Sequence, residues 1–242
     1  MRIQSEPGFV LHVTPYRDTS LLVDLFTCNH GRVRCVAKGF RKPGKKGSSR
    51  ALFPYTEYLL NWQGRGELKN LNRADIAATP VLLTQQALFV GLYLNEILYR
   101  LLQEQDAYEA LYQLYRQLMI ELANKGVDES ALRRFELSLL QQLGYGLVLD
   151  SDAERGVPLR SDAYYRYIPE QGLQEIQGQR AEDLGGALMG AELMAIARDD
   201  FSRDETVKTA KRLTRGVIDF YLNGRQLHSR ELYRQFLQDG TT

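Results

Sequence analysis

The chain has 242 residues, of which 44% are hydrophobic and 25% charged, a composition typical of a folded globular protein that excludes an intrinsically disordered one. No apolar run approaches the roughly 20 residues that a membrane helix needs, and the N-terminus lacks a basic segment leading into an apolar stretch, so we expect a cytoplasmic protein without a membrane partner. The two cysteines, Cys28 and Cys35, are too few for a disulfide framework or a four-thiolate zinc site.

The formal net charge of +1 hides an uneven distribution of charge along the chain. Residues 1–80 carry 13 Lys and Arg against 6 Asp and Glu, whereas the remainder carries 18 against 24. Positions 31–50 contain no acidic residue and eight basic ones, namely Arg32, Arg34, Lys38, Arg41, Lys42, Lys45, Lys46 and Arg50. Because a local field depends on where the charges lie, this density predicts a polyanionic partner.

The first 80 residues alternate between apolar and polar positions and predict about five strands. The candidate strands are Phe9–Val13, Thr19–Phe26, Arg32–Lys38, Tyr55–Trp62 and Leu68–Ala77. In the third, Arg32, Arg34 and Lys38 fall on one face, and a slip in the alternation at Val36 predicts a bulge. Five short strands joined by long basic loops are typical of an OB-type β-barrel.

Beyond Pro80 the apolar period changes from two residues to 3.6, and this change separates two predicted domains, 1–80 and 81–242. Helical patterns cover residues 94–102, 111–122, 128–143, 204–222 and 229–237. The third of these has an N-cap at Asp128 and a stop at Gly144.

Residues 147–185 read as an irregular insertion within the helical domain, with one candidate strand at Tyr164–Ile168. The predicted fold class is therefore α+β, a five-stranded OB-fold barrel followed by an α-helical domain.

The segment 39–49, rich in Gly, Lys and Ser, predicts a mobile basic loop beside the barrel. Lys and Arg release condensed counterions from phosphates, so such a loop gives affinity for nucleic acid without sequence preference. We predict that the eight basic residues of positions 31–50 bind DNA. Five nearby aromatic residues either stack on unpaired bases or fill the barrel: Phe40, Phe53, Tyr55, Tyr58 and Trp62.

A second basic surface is predicted on the helix that begins near Asp204. Lys208, Lys211, Arg212 and Arg215 recur at helical spacing and form one stripe. A solvated face is one interpretation of this stripe. A cluster of one sign without carboxylate partners indicates instead an anionic ligand, either DNA phosphate or an acidic peptide.

On the third predicted helix, Arg133 and Arg134 stand one turn before Leu137. A cation beside an apolar side chain suits a peptide that ends in acidic residues and an aromatic one.

Three patterns imitate cofactor sites, and we predict no cofactor, no metal and no catalytic residue. Gly44-Lys45 has the spacing of a phosphate-binding loop, but the next residue is Lys46, which has no hydroxyl for magnesium. Asp150–Glu154 opens like a calcium loop whose sixth position is Arg155 instead of glycine. A weak zinc pattern consists of His12, Cys28, His30 and Cys35.

Several blocks, in order along the chain, resemble the RecO family. They are Phe9–His12, Thr19–Leu21, Leu25–Thr27, Gly31–Arg34, Val36–Gly39, Leu132–Glu136, Leu143–Gly146, Ala210–Arg212 and Ser229–Leu232. The resemblance implies an OB-fold domain joined to a helical bundle, acting as a recombination mediator and not as an enzyme. It also implies binding and annealing of single- and double-stranded DNA, association with RecR, and contact with the acidic C-terminal tail of single-strand-binding protein to help load RecA.

By this resemblance the tail would bind Arg133, Arg134, Leu137, Lys208 and Arg212. The charge pattern predicts that Lys211 and Arg215 join the basic loop in binding DNA, at the nucleoid. Many relatives carry a four-cysteine zinc module after the Leu-Gly-Tyr block, but residues 146–172 contain no cysteine, so we predict no zinc.

Two alternatives remain open at this point. One is an OB-fold RNA-binding protein of the translation or RNA-processing type. The other is a magnesium-dependent nuclease that uses Asp199, Asp200, Asp204 or Glu205.

Overall fold

A computed structural model describes residues 2–40, 51–176 and 186–239. The chain forms two compact units, one made of Met1–Val127 with Leu227–Thr242 and the other of Asp128–Gln226. These units divide the chain elsewhere than the predicted domains 1–80 and 81–242, because three helices from beyond Pro80 pack in the same unit as the strands.

Five strands of the first unit close into a barrel. They are β1 (Arg2–Tyr16), β2 (Ser20–Thr27), β3 (Gly31–Ala37), β4 (Glu57–Gln63) and β5 (Lys69–Ile76). Their order is β1-β2-β3-β5-β4, with β4 returning to β1, and β3 and β5 form the parallel pair. The predicted five-stranded barrel and the α+β class are confirmed, and the topology is consistent with an OB fold.

Alternate side chains of these strands fill the barrel. The inward positions include Val23, Leu25, Val33, Cys35, Tyr58, Leu60, Trp62 and Leu71. The predicted bulge at Val36 is wrong, because β2 and β3 pair without interruption from Leu21 opposite Ala37 to Thr27 opposite Gly31. Val36 breaks the alternation because its outward position is also buried.

Three helices complete the first unit, namely α1 (Gln85–Leu101), α2 (Glu109–Lys125) and α6 (His228–Asp239). A register shift in β1 lies between Val10 and His12, and the Asn95 amide of α1 donates to the carbonyls of Val10 and Leu11 there, at 3.3 and 3.4 Å. Glu96 accepts hydrogen bonds from the backbone N–H of His228 and Ser229, which ties the start of α6 to α1.

The second unit contains α3 (Glu129–Gln142), α4 (Gly190–Ala197) and α5 (Asp204–Tyr221). The predicted N-cap is confirmed, since the Asp128 carboxylate accepts from the N–H groups of Ser130 and Ala131. Its short strands are β6 (Ser151–Asp152), β7 (Val157–Pro158), β8 (Tyr164–Ile168), β9 (Gly172–Glu175) and β10 (Leu188–Met189). The predicted strand within the irregular insertion is thus β8, the central strand of a three-stranded sheet.

Asp152 organises the part of the insertion that imitates a calcium loop. Burial raises the pKa of its carboxyl. Hydrogen bonds from the N–H groups of Arg155, Glu175 and Glu154 lower this pKa by more than burial raises it, so the net shift is downward. The carboxylate therefore accepts from the backbone of its own turn, at Glu154 and Arg155, and from the end of β9, at Glu175.

Candidate nucleic-acid interface

Three of the eight predicted DNA-binding residues near the barrel can be placed. Arg32, Arg34 and Lys38 lie on or just after β3. The others, Arg41, Lys42, Lys45, Lys46 and Arg50, lie outside the described residues, as do positions 41–49 of the predicted mobile loop.

Arg32 is engaged with other groups of its own unit. Its guanidinium lies 3.1 Å from an oxygen of Asp24 and 3.1 Å from one of Glu104, and its Nε donates to the carbonyl of Leu102. The side chain is 16% exposed. The sequence predicted an exposed Arg32 that binds phosphate, whereas this side chain is mostly buried. Two carboxylates already neutralise its charge, so Arg32 is not available to a phosphate.

Arg34 shares the same carboxylate but is more open to solvent. Its Nε lies 3.5 Å from Asp24 Oδ1, and its side chain is 40% exposed. Burial raises the pKa of the Asp24 carboxyl, and the neighbouring guanidinium groups of Arg34 and Arg32 lower it without cancelling the effect. Arg34 can therefore present part of its charge at the barrel surface.

A cleft at one end of the barrel brings together three further basic residues, Arg17, Lys38 and Lys69, and one acidic residue, Asp18. We call it the barrel cleft; it has a volume of about 560 Å³ and is lined by Tyr16, Arg17, Asp18, Thr19, Ser20, Val36, Lys38, Leu68, Lys69 and Asn70. Lys38 is exposed at its edge. The ammonium of Lys69 donates to the carbonyl of Gly66 at 2.6 Å, and the Arg17 guanidinium lies 5.0 Å from the centroid of the Tyr16 ring.

Sequence reasoning missed Tyr16, Arg17 and Lys69, since each is isolated from the basic run 31–50. The signal that finds them is barrel order. The register of the parallel pair, with Cys35 opposite Lys69 and Ala37 opposite Leu71, puts the end of β3 beside the start of β5.

The aromatic residues near the basic run mostly fill the barrel. Tyr55, Tyr58 and Trp62 are each at most 3% exposed, so their rings are closed to bases, and Phe40 packs partly buried against the same core. Phe53, which is 53% exposed, is the member of this group that reaches solvent.

The basic stripe of α5 has carboxylate partners, which corrects the sequence-based expectation. Lys208 pairs with Glu205 at 2.7 Å, Lys211 with Glu129 at 3.2 Å, and Arg215 with Asp219 at 3.7 Å. Two partners stand three or four residues away on the same helix, and the third comes from α3. Arg212 differs, since its guanidinium donates to the Thr209 hydroxyl.

Arg133 is buried, contrary to its predicted place in a peptide pocket. It is 4% exposed, and its Nη1 lies 2.9 Å from Glu136, whose carboxylate also accepts from the Thr214 hydroxyl of α5. Arg133 thus helps to join α3 to α5. Arg134 is more exposed, pairs with Asp199 at 2.8 Å and lies over the Phe201 ring.

A cavity of about 260 Å³ in the second unit combines cations with an apolar floor. Its lining includes Arg166, Tyr167, Pro169, Leu188, Arg212, Leu213 and Val217. Of the five residues predicted to bind an acidic tail, Arg212 is the one in this lining. We call this cavity the two-arginine cavity. Leu137 is half-buried and outside this lining.

Comparison with known proteins identifies the family. The family models described as recombination protein O N terminal and recombination protein O C terminal match residues 1–80 and 84–231. The chain is 43% identical over 233 residues to the DNA repair protein RecO of Methylococcus capsulatus, covering 96% of this chain and 94% of that relative. It is 44% identical over 231 residues to the DNA repair protein RecO of Proteus mirabilis, covering 95% and 92%. This chain belongs to the RecO family.

Membership of the RecO family assigns the chain to DNA repair and recombination and does not favour the RNA-binding alternative. No helix in the described part of the chain is long and apolar enough to cross a membrane.

Several of the residues considered for metal binding or nuclease chemistry are buried or paired with basic side chains in this RecO family member. Burial raises the pKa of the Cys35 thiol to about 12, and Cys28 is buried as well. Asp199 accepts from Arg134, and Glu205 accepts from Lys208. Within residues 2–40, 51–176 and 186–239, no three His, Cys, Asp or Glu side chains are grouped so that they could hold a metal ion.

Proposed function

We propose that this chain is a recombination mediator that binds single- and double-stranded DNA and anneals complementary strands without ATP and without catalysis of its own. The observation that carries the proposal is the barrel cleft, where Arg17, Lys38 and Lys69 converge at one end of a five-stranded barrel. Five more basic residues, Arg41, Lys42, Lys45, Lys46 and Arg50, follow Lys38 closely in the sequence, and no acidic residue lies among them.

The chemistry of annealing suits such a surface. Two complementary strands pair spontaneously once the repulsion between their phosphates is screened, and cations that replace condensed counterions provide that screening. No bond is made or broken in the strands, so the process needs neither an acid–base pair nor a metal ion. We place this activity in the cytoplasm, at the nucleoid, where the proposed ligand is found.

The test compares two triple charge reversals of equal size in an ATP-free annealing assay and in DNA titrations across a range of salt concentrations. The loop variant carries Lys42→Glu, Lys45→Glu and Lys46→Glu, and the control carries Lys125→Glu, Arg198→Glu and Arg225→Glu at exposed positions far from the loop in sequence. We expect the loop variant to anneal slowly and to show a flatter salt dependence, while the control behaves like the wild type. Equal behaviour of the two variants would contradict the assignment of the loop.

We also propose that the acidic C-terminal tail of single-strand-binding protein occupies the two-arginine cavity. Arg166 and Arg212 can pair with carboxylates while an aromatic side chain packs on Leu213 and Val217. This assignment replaces Arg133 of the predicted set, because that guanidinium is buried against Glu136.

Binding of a labelled peptide with an aromatic residue next to two aspartates tests the cavity by fluorescence anisotropy. Arg166→Ala and Arg212→Ala should each weaken binding of the peptide, since each removes one charged partner. Neither should change the affinity for duplex DNA. Arg155→Ala is the matched control, because Arg155 pairs with Glu175 away from the cavity lining. Equal loss of peptide and duplex binding would show that these arginines act on DNA instead.

Association with RecR and assistance to RecA loading complete the proposed role and rest on membership of the family. The measurement is RecA filament assembly on gapped DNA coated with single-strand-binding protein, with and without this chain and RecR. Faster assembly that needs both proteins is the expected result, and assembly that is indifferent to this chain would argue against it.

A further inference from the structure

We propose that the barrel cleft is a subsite for one nucleotide of an unpaired DNA strand, in which Lys69 meets a phosphate and the Tyr16–Arg17 pair meets the base. This inference rests on the proposed binding of DNA and goes further by naming the residues and the form of DNA they select.

Lys69 is the first reason for the assignment. It stands at the start of β5 on the same inward face as Leu71, and it is only 6% exposed. An ammonium group has three donors, and the bond to the Gly66 carbonyl uses one of them. Among the residues that the structure describes, the Lys69 ammonium forms no ion pair with a carboxylate. Buried cations are almost always paired, so an anion supplied by a ligand is the partner that fits this position.

The turn between β1 and β2 supplies planar groups on the other side of the cleft. Arg17 has a φ of +52°, a left-handed conformation, within a tight turn. In that turn its guanidinium lies 5.0 Å from the centroid of the Tyr16 ring. Aromatic rings and guanidinium planes are the two side-chain types on which splayed bases stack in single-strand recognition.

The size of the cleft favours one unpaired nucleotide over a duplex. Its volume of about 560 Å³ falls in the range of about 300–1,000 Å³ that is usual for small-ligand sites. In a duplex both faces of a base are stacked and its edge is paired, so a base can enter such a site only after it has been flipped out of the helix. A strand whose bases are already free enters without that cost.

Four variants of the full chain test the subsite: Tyr16→Ala, Tyr16→Phe, Lys69→Met and Lys69→Arg. Affinities for a labelled oligothymidine strand and for a duplex are measured across a range of salt concentrations, and thermal melting checks the fold. Met keeps the length of the lysine stem without its charge, Arg keeps the charge, and Phe keeps the ring.

Tyr16→Ala should weaken single-strand binding by roughly 5- to 150-fold, the range expected for loss of one stacked base, and should leave the duplex unaffected. Tyr16→Phe should stay near the wild type. Lys69→Met should lower the affinity for the single strand by roughly 10-fold. It should also reduce the slope of log affinity against log salt by about 0.7, as the loss of one phosphate contact predicts. Lys69→Arg should keep the slope.

The outcomes separate this inference from the proposed function. If the wild type binds and anneals DNA while Tyr16→Ala and Lys69→Met match it, the subsite is wrong and the general DNA-binding proposal stands. If the wild type binds no DNA, the proposed function itself fails. If Tyr16→Ala weakens strand and duplex equally, the cleft does not select unpaired bases. Should Lys69→Met fail to fold, the comparison of Tyr16→Ala with Tyr16→Phe decides the question. Thymidine monophosphate that binds as tightly as the strand would overturn the assignment to a strand.

Discussion

Replacing Arg133 with alanine is expected to destabilise the unit Asp128–Gln226 severely. The guanidinium is buried, with Nη1 2.9 Å from Glu136 and Nη2 3.5 Å from Glu129. Alanine would remove the Arg133 cation from the Glu136 carboxylate, which is 1% exposed. Breaking a buried ion pair by removing one partner costs about 3–5 kcal/mol, whereas the exposed pair of Arg134 contributes less than about 1 kcal/mol.

Urea denaturation followed by far-ultraviolet circular dichroism measures the loss, and hydrogen exchange of the α3 and α5 amides locates it. At slopes of about 1–3 kcal/mol per M, the midpoint should fall by about 1 M or more. Arg134→Ala is the matched control and should hardly move it.

A double variant separates lost packing from an unpaired charge. Arg133→Met with Glu136→Leu removes both charges, and the single proton of the Thr214 hydroxyl can then be donated to the Ala210 carbonyl oxygen, which lies 2.9 Å away. Because apolar replacement of a buried ion pair is often neutral or stabilising, the double variant should regain most of the stability that Arg133→Ala loses. A loss under about 1 kcal/mol in Arg133→Ala itself would refute the buried pair and restore Arg133 as an exposed cation open to a ligand.

Three further predictions concern the unit that contains the barrel. Gly31→Ala should destabilise it by more than about 1 kcal/mol, measured by urea denaturation, because φ is +59° and a Cβ would lie 1.7 Å from the carbonyl oxygen of Asp106; an unchanged midpoint would contradict this geometry. Asn95→Leu should cost about 1–3 kcal/mol in the same assay, since it removes the amide that satisfies two carbonyls of β1, and a neutral result would mean that water replaces it. Burial raises the pKa of Glu96, but hydrogen bonds led by those from Ser229 lower it to below its ordinary 4.5, so its contribution to stability is present above that value and is lost as the pH falls through the folded-state pKa. The protection factors of the α6 amides, which correct for the slower intrinsic exchange at low pH, should therefore fall on acidification in the wild type and change less with pH in Glu96→Gln.

The sequence predicts the elements well where a single periodic face meets the core. Strands β2 to β5, the N-cap Asp128 and the helices α3 and α5 lie within a few residues of their predicted places, whereas β1 begins at Arg2, seven residues before its predicted start at Phe9. The predicted bulge at Val36 was wrong because both faces of β3 are covered at that point, whereas an alternating pattern reports only one buried face. Leu114, an apolar residue within the predicted helical pattern 111–122, is 42% exposed, while Tyr112 and Met119 of the same helix are buried.

The candidate sites could be predicted less fully, because charge patterns do not reveal partners that come from elsewhere in the chain. Lys211 meets Glu129 of α3, and Arg32 meets Glu104 from beyond α1. Some partners were visible nevertheless, since Glu136 stands three residues after Arg133 on one helix. The barrel cleft exists only once the strands close, so its cations lie far apart in the sequence.

The discontinuity of the first unit sets an order of events during synthesis. Its last helix, α6, leaves the ribosome only after the whole of Asp128–Gln226 has emerged. The unit Asp128–Gln226 can therefore be complete while the barrel unit still lacks a helix. Until then, Glu96 has no N–H groups of His228 and Ser229 to accept from, and the Phe89 ring lacks its contacts with Tyr233 and Phe236. A nascent chain arrested before Leu227 would therefore expose the α6-facing surface of α1.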